Sequence, residues 1–175
     1  MEHGPLIIAE LLEEVVRHIA PPLEVIGIEG DAIFARAVDG AVQPAAALLD
    51  VLRAGFAGFR DRQRALQADE SCACGACRAV WRLRLKAIGH YGPFLQHRVA
   101  GRAQIAGADV ILAHRLLKNG VGRTADYALL TREALREMDV DPARLGFMRH
   151  VEHYEHFGAV ECFVADLTAT RPRAA

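Results

Sequence analysis

Leu23-Glu24-Val25-Ile26-Gly27-Ile28-Glu29-Gly30-Asp31-Ala32-Ile33-Phe34-Ala35-Arg36-Ala37-Val38 is the stretch that decides how this chain folds. Two short apolar runs, Leu23 to Ile28 and Ala32 to Val38, flank Glu29-Gly30-Asp31, and this pattern predicts a β-hairpin with a tight turn. Upstream, Leu6, Ile7, Leu11, Leu12, Val15 and Ile19 recur with a helical period. Pro5 suits the first turn of that helix, and Pro21-Pro22 end it by removing donors and restricting the backbone. Downstream, the turn-like Asp39-Gly40 leads into a second helix from about Pro44 to Gln67, striped by Leu48, Leu49, Leu52, Phe56 and Phe59. Arg60, Arg62 and Arg64 read as its solvated end.

Further along, Val80 to Ile88 reads as a strand, with Trp81, Leu83, Leu85 and Ala87 on a buried face against Arg82, Arg84 and Lys86. Gly89 to Pro93 reads as a turn and Val99 to Ile105 as a second strand. Gly107 to Asn119 is expected to be a helix with Asp109 in its first turn and Gly120 past its end. A strand at Tyr127 to Leu130, a short helix capped by Thr131, and a strand at Val160 to Ala165 follow. No repeat or linker interrupts the chain. The expectation is one α+β domain over residues 1–167, with a tail over 168–175.

The composition suits a globular domain: 175 residues, 52% hydrophobic and 25% charged. With 21 basic and 22 acidic residues and scattered arginines, nothing favours nucleic acid or an anionic membrane surface. No segment is apolar for the ~18 residues that a membrane span needs. Met1-Glu2-His3-Gly4-Pro5 lacks the features of a signal peptide, so a cytoplasmic location with reduced cysteines is expected. No Walker or Rossmann phosphate loop and no nucleophile-elbow serine is present.

Three segments, taken in order, resemble class III adenylate and guanylate cyclases. Glu29-Gly30-Asp31-Ala32 is similar to the Gly-Asp turn whose aspartate binds a catalytic metal. Leu85-Lys86-Ala87-Ile88-Gly89-His90-Tyr91-Gly92 resembles the strand that ends in a His-x-Gly turn. Gly107-Ala108-Asp109-Val110-Ile111-Leu112-Ala113-His114-Arg115 resembles the cyclase helix with spacing Gly-x-x-Val-Asn-x-Ala-x-Arg. More closely, Ile8-Ala9-Glu10-Leu11-Leu12, Ile28 to Ile33, Cys72-x-Cys74-Gly75-Ala76-Cys77 and Ala113 to Asn119 look like an uncharacterised bacterial family, a distant branch of the cyclase-like proteins.

The resemblance implies a ferredoxin-like, cyclase-like antiparallel sheet with helices on one face, and a homodimer, because the cyclase site forms between two domains. It implies a ligand site around Asp31, His90 and Arg115, with nucleotide and Mg²⁺ or Mn²⁺ as the ligand class. Several positions depart from it. The first strand and its metal-binding aspartate are missing, which leaves a gap for another segment, a partner chain or an upstream start to fill. Gly27 and Gln104 stand where the family reads purine, and Ile111 where it orients ribose. Two-metal chemistry needs both carboxylates. Asp31 and Arg115 are thus remnants, and the expected function is a catalytically degenerate domain that binds a ligand or partner. An active cyclase completed by the missing strand or a partner chain is the other outcome of this resemblance.

Cys72, Cys74 and Cys77 have C-x-C-x-x-C spacing in a glycine-containing loop. Three clustered thiolates suit Zn²⁺, with Cys162, a histidine, water or another chain as the fourth donor. The same residues suit small apolar packing in a tight turn, or redox chemistry. A zinc-holding structural or interaction module is therefore a function from a different class. His150, His153 and His156, beside Glu152 and Glu155, read as a solvated helix face, because a spacing of three drifts around a helix. His90 and His114 read as core histidines hydrogen-bonded to backbone.

Overall fold

A computed structural model describes residues 3–37, 45–69, 71–122 and 126–168. The chain divides into two compact units, Met1–Leu85 and Lys86–Ala175. The expected α+β class holds, with five α-helices and three sheets among the described residues. No helix among those residues is long and apolar enough to cross a membrane.

In the first unit, α1 (Gly4–Ile19) packs against α2 (Ala45–Ala68). Ile7, Leu11, Val15 and Ile19 are buried on one face of α1, four residues apart, and meet Phe59 and Val80. The two helices approach closely where α2 carries glycine. A Cβ at Gly58 would stand 2.5 Å from the His18 ring, and one at Gly55 would stand 3.0 Å from Ile19. Between the two helices in chain order, β1 (Glu24–Glu29) and β2 (Ala32–Arg36) form the expected antiparallel hairpin, turning through Gly30 at φ +63°. Arg36 holds the open end by donating to Glu24. The unit continues through α3 (Gly75–Ala79) and a single 3-10 turn, Val80–Arg82.

In the second unit, a four-stranded sheet has the order β3 (Lys86–Gly89), β6 (Tyr127–Thr131), β8 (Gly158–Asp166), β7 (Met148–Tyr154). All five residues of β6 are buried, as a central strand covered on both faces requires. Tyr127, Leu129, Cys162 and Val164 line one face with Leu112 and Leu116 of α4 (Ala108–Leu116). Gly89 leaves room for its neighbour on β6, since a Cβ there would lie 2.5 Å from the Leu130 side chain. Thr131 caps α5 (Arg132–Glu137) as expected, its Oγ1 accepting from the Ala134 amide at 3.3 Å.

Four expectations need correction. The sheet is mixed, because β3 runs parallel to β6. The strand expected over Val80–Ile88 is cut in two: Val80–Arg82 is the 3-10 turn and only Lys86–Gly89 is strand. The buried Gln63 amide explains the break. It donates to the Val80 carbonyl at 2.7 Å and the Leu83 carbonyl at 3.1 Å, supplying partners that a ladder would otherwise provide. Trp81, expected inside, is 48% exposed. The strand expected over Val99–Ile105 is instead a hairpin, β4 (Leu95–Val99) and β5 (Arg102–Ala106), turning at Ala100 and Gly101, both at positive φ. The histidine repeat is not helical: His150 and His153 lie on β7, and His156 lies in the turn that joins it to β8. The turn at Asp39-Gly40, the start of the second helix at Pro44 and the tail beyond Thr168 lie outside the described residues.

Candidate metal centre

Two pieces of the first unit bring the chemistry together. His3 occupies the N-cap position of α1, yet its side chain makes no capping hydrogen bond there. The start of α1 lies against α3, where a Cβ on Gly4 would meet the Ala76 Cβ at 3.9 Å. After α2, the chain passes through Cys72 and Cys74 and enters α3, which carries Cys77. His3, Cys72, Cys74 and Cys77 thus present one nitrogen and three sulfur atoms, all within 4.8 Å of one another. The Cys77 sulfur and His3 Nδ1 are 3.5 Å apart, and the Cys74 amide donates to the Cys72 sulfur at 3.4 Å. All four residues are half-buried, and the three cysteines are free thiols.

The electrostatics of the cluster push two of its thiols in opposite directions. The backbone amides of Cys77 and His3, with the Cys77 thiol, pull Cys74 down to about 6. Cys77 is pushed up to about 12, first by its hydrogen bond to Cys74 and then by burial. The Cys74 thiolate therefore forms readily, and Cys77 resists ionisation beside it. A cation held among them relieves that repulsion, since metal binding favours deprotonated thiols. The chemistry of the donor set fits zinc. With Zn–S of about 2.3 Å and Zn–N of about 2.0–2.1 Å, tetrahedral geometry puts neighbouring donors roughly 3.6 Å apart, close to the spacing of His3 and Cys77.

The sequence named three of these donors and left the fourth open. His3 is that donor here, and nothing periodic marks it; its one signal is a histidine immediately before a helix whose start docks elsewhere. Cys162 is buried on β8 in the second unit, and burial, aided by the charges of Glu152 and Glu133, raises its thiol to about 12.

The remaining site candidates fall as follows. Asp31 sits exposed in the β1–β2 turn of the first unit. In the second unit, the exposed Arg115 places its guanidinium 5.8 Å from the Phe157 ring centroid, and its carbonyl accepts from the Tyr154 hydroxyl at 3.2 Å. His90 has a side chain only 5% exposed, with Nδ1 2.9 Å from Thr131 Oγ1 and Nε2 2.9 Å from Asp109 Oδ1. Its partners are side chains rather than the expected backbone groups. Gly92 makes room for Asp109, because a Cβ there would lie 2.3 Å from the carboxyl carbon. Glu152 accepts from the Gly120 amide at 2.5 Å and lies 2.6 Å from His150 Nε2. Burial pushes the Glu152 carboxyl up, but His150, the Gly120 amide and the charge of His153 together hold it below its usual range.

A family model described as "Protein of unknown function (DUF2652)" matches residues 8–127. That stretch contains Cys72, Cys74 and Cys77 and begins after His3. A Mycobacterium tuberculosis protein, "Uncharacterized protein Rv2561/Rv2562", is 31% identical over 137 residues, covering 78% of this chain and 63% of that protein. The chain therefore matches less than two thirds of the length of this curated relative.

Proposed function

This chain belongs to the DUF2652 family, and we propose that it is a zinc-holding module in which His3, Cys72, Cys74 and Cys77 bind one structural ion. The observation that carries the reading is the convergence of four soft and borderline donor atoms within 4.8 Å. Four protein ligands fill a tetrahedron and leave no position for water or substrate, which is the pattern of a structural rather than a catalytic site. The ion would join the segment that opens α1 to the loop that follows α2, two pieces of the first unit that are distant in sequence. A small core gains most from such a staple.

The test is elemental analysis of protein purified without chelator. About one zinc per chain is the expected result, falling in His3→Ala and Cys74→Ser, and fewer than ~0.2 equivalents would reject the reading. Intact thiols with no metal would instead assign the cysteines to packing of the turn.

The resemblance to class III cyclases carries a second reading, a degenerate nucleotide-binding domain that acts through Asp31 and Arg115 and works as a homodimer. What supports it is that Asp31 stands in a hairpin turn and Arg115 on a helix, the local settings that the resemblance requires. In a ferredoxin-like arrangement His90 would position the turn after its strand through Asp109 and Thr131. Calorimetric titration with ATP or GTP and Mn²⁺ tests it: binding lost in both Asp31→Ala and Arg115→Ala is expected, and no heat at millimolar nucleotide would end it. Turnover to a cyclic nucleotide, abolished in Arg115→Ala, would restore the enzyme. Sedimentation at micromolar concentration tests the dimer.

A further inference from the structure

We propose that the metal centre is a reversible redox release device, in which oxidation joins Cys74 to Cys77 and expels the zinc. This rests on the reading of His3, Cys72, Cys74 and Cys77 as zinc ligands, and it adds regulation to that site. Three features carry it. First, the donors are reachable: all three cysteines are half-buried rather than enclosed, whereas Cys162 is fully buried on β8. An oxidant that reaches solvent-accessible thiolates reaches these and spares the fourth.

Second, the local geometry selects one pair. Cys74 takes extended backbone at the residue before α3, and Cys77 lies within that first helical turn, where the Cys74 carbonyl already accepts from the Arg78 amide at 3.1 Å. Two cysteines in this C-x-x-C setting lie on the same side of the turn, so a disulfide forms without unfolding α3. Cys72 stands two residues before that cap, outside α3, its sulfur accepting from the Cys74 amide.

Third, the loss of two ligands empties the site. A disulfide sulfur does not hold Zn²⁺, and Cys72 with His3 alone supply half a tetrahedron. His3 makes no side-chain capping hydrogen bond on α1, so release of the ion also frees the His3 side chain.

Hydrogen peroxide is the oxidant class. The Cys74 thiolate attacks one peroxide oxygen, the O–O bond breaks, and hydroxide leaves and takes a proton from solvent. The Cys77 thiolate then attacks the sulfenic sulfur of Cys74, the S–S bond forms, and the second hydroxide leaves and is protonated. Two thiolates lose two electrons in total, and one peroxide becomes two waters. The zinc departs as Zn²⁺, unchanged in oxidation state. A dithiol reductant reverses the step and zinc rebinds.

The experiment uses the full chain, assayed for zinc before any treatment, then exposed to a small excess of peroxide. Released zinc is read with a chromophoric chelator, thiols by counting under denaturing conditions, and the cross-link by peptide mass. Before oxidant, about one zinc per chain is expected, and less would overturn the metal reading and this inference with it. After oxidant, zinc release matched by loss of two of the four thiols, a Cys74–Cys77 peptide and recovery with dithiothreitol plus zinc is the expected result. Zinc retained with four thiols intact overturns the inference alone, as does release with Cys74 joined to Cys72. Cys77→Ser separates the steps: after oxidation its Cys74 should carry sulfenic or higher oxides that dithiothreitol does not fully reverse. Full reversal in that variant would reject Cys77 as the resolving thiol.

Discussion

His90 in the second unit and His3 in the first make an instructive pair. Both are enclosed by neighbours of ligand chemistry, but they are enclosed differently. His90 gives one ring nitrogen to Asp109 and the other to Thr131, while Thr131 also accepts from the Ala134 amide. Both ring nitrogens are used within the group, so it ties the start of α4 to the end of β6. His3 instead faces sulfur, with Cys77 at 3.5 Å and two more thiols close by. Thiols are weak hydrogen-bonding groups, and they do not satisfy an imidazole or one another as carboxylate and hydroxyl do. A polar cluster that closes on itself is architecture. One whose members leave coordination capacity over is a place for an ion.

Removing the ion is the strongest way to break this comparison. If free zinc stands about 1,000-fold above the dissociation constant, binding stabilises the folded state by about 4 kcal/mol. Chelation should therefore lower the first unit's urea midpoint sharply, with restoration by added zinc. An unchanged midpoint in chelator would put the thiol cluster in the same class as the His90 group. Next in size, Leu129→Ala removes a fully buried side chain from the centre of β6 and should cost about 3 kcal/mol. Zinc content measured on the folded protein should stay at one equivalent. Loss of zinc there would show that the metal depends on the second unit's core as well as on its own ligands.

Sequence patterning made the strongly periodic pieces legible. The 3.6-residue repeat of α1, the turn at Gly30 and the apolar run of β6 all stand where residue order alone places them. What patterning missed has a common cause: short segments whose backbone partners come from side chains or from a sharp local turn. Val80–Arg82 alternates like a strand but folds as a 3-10 turn because Gln63 takes its carbonyls. Leu95–Ala106 hides a two-residue hairpin turn, in which Gly101 is the one glycine and Ala100 takes a positive φ that its residue type does not announce. The histidine repeat suggested a helix, although β7 pairs along its whole length with β8. At the candidate metal centre, C-x-C-x-x-C announced three of the four donors, whereas His3 is brought in by the packing of α1 on α3, which no local pattern encodes.

A sharper test of the closed group is His90→Ala. It leaves the fully buried Thr131 hydroxyl and the Asp109 carboxylate without their imidazole partner. The expected cost is about 2 kcal/mol by urea unfolding, with zinc content unchanged. A cost near zero would mean that water replaces the imidazole, and the group would lose its standing as architecture.

The smallest effect comes from the other closed group, and its pH dependence carries the information. Glu152→Gln keeps an acceptor for the Gly120 amide and for His150 and removes only the charge, so a loss of about 1 kcal/mol at neutral pH is expected. The folded Glu152 carboxyl titrates below its ordinary value of 4.5, against the upward push of burial, because His150, the Gly120 amide and His153 favour the anion. A group depressed in the folded state contributes its stability above the unfolded value and loses it as pH falls through the folded one. The gap between wild type and Glu152→Gln should therefore be full at pH 7 and shrink as pH is lowered below about 4.5. A gap that holds constant down that range would show that the carboxylate acts here as a neutral acceptor would. The contrast between the units would then rest on His90 alone.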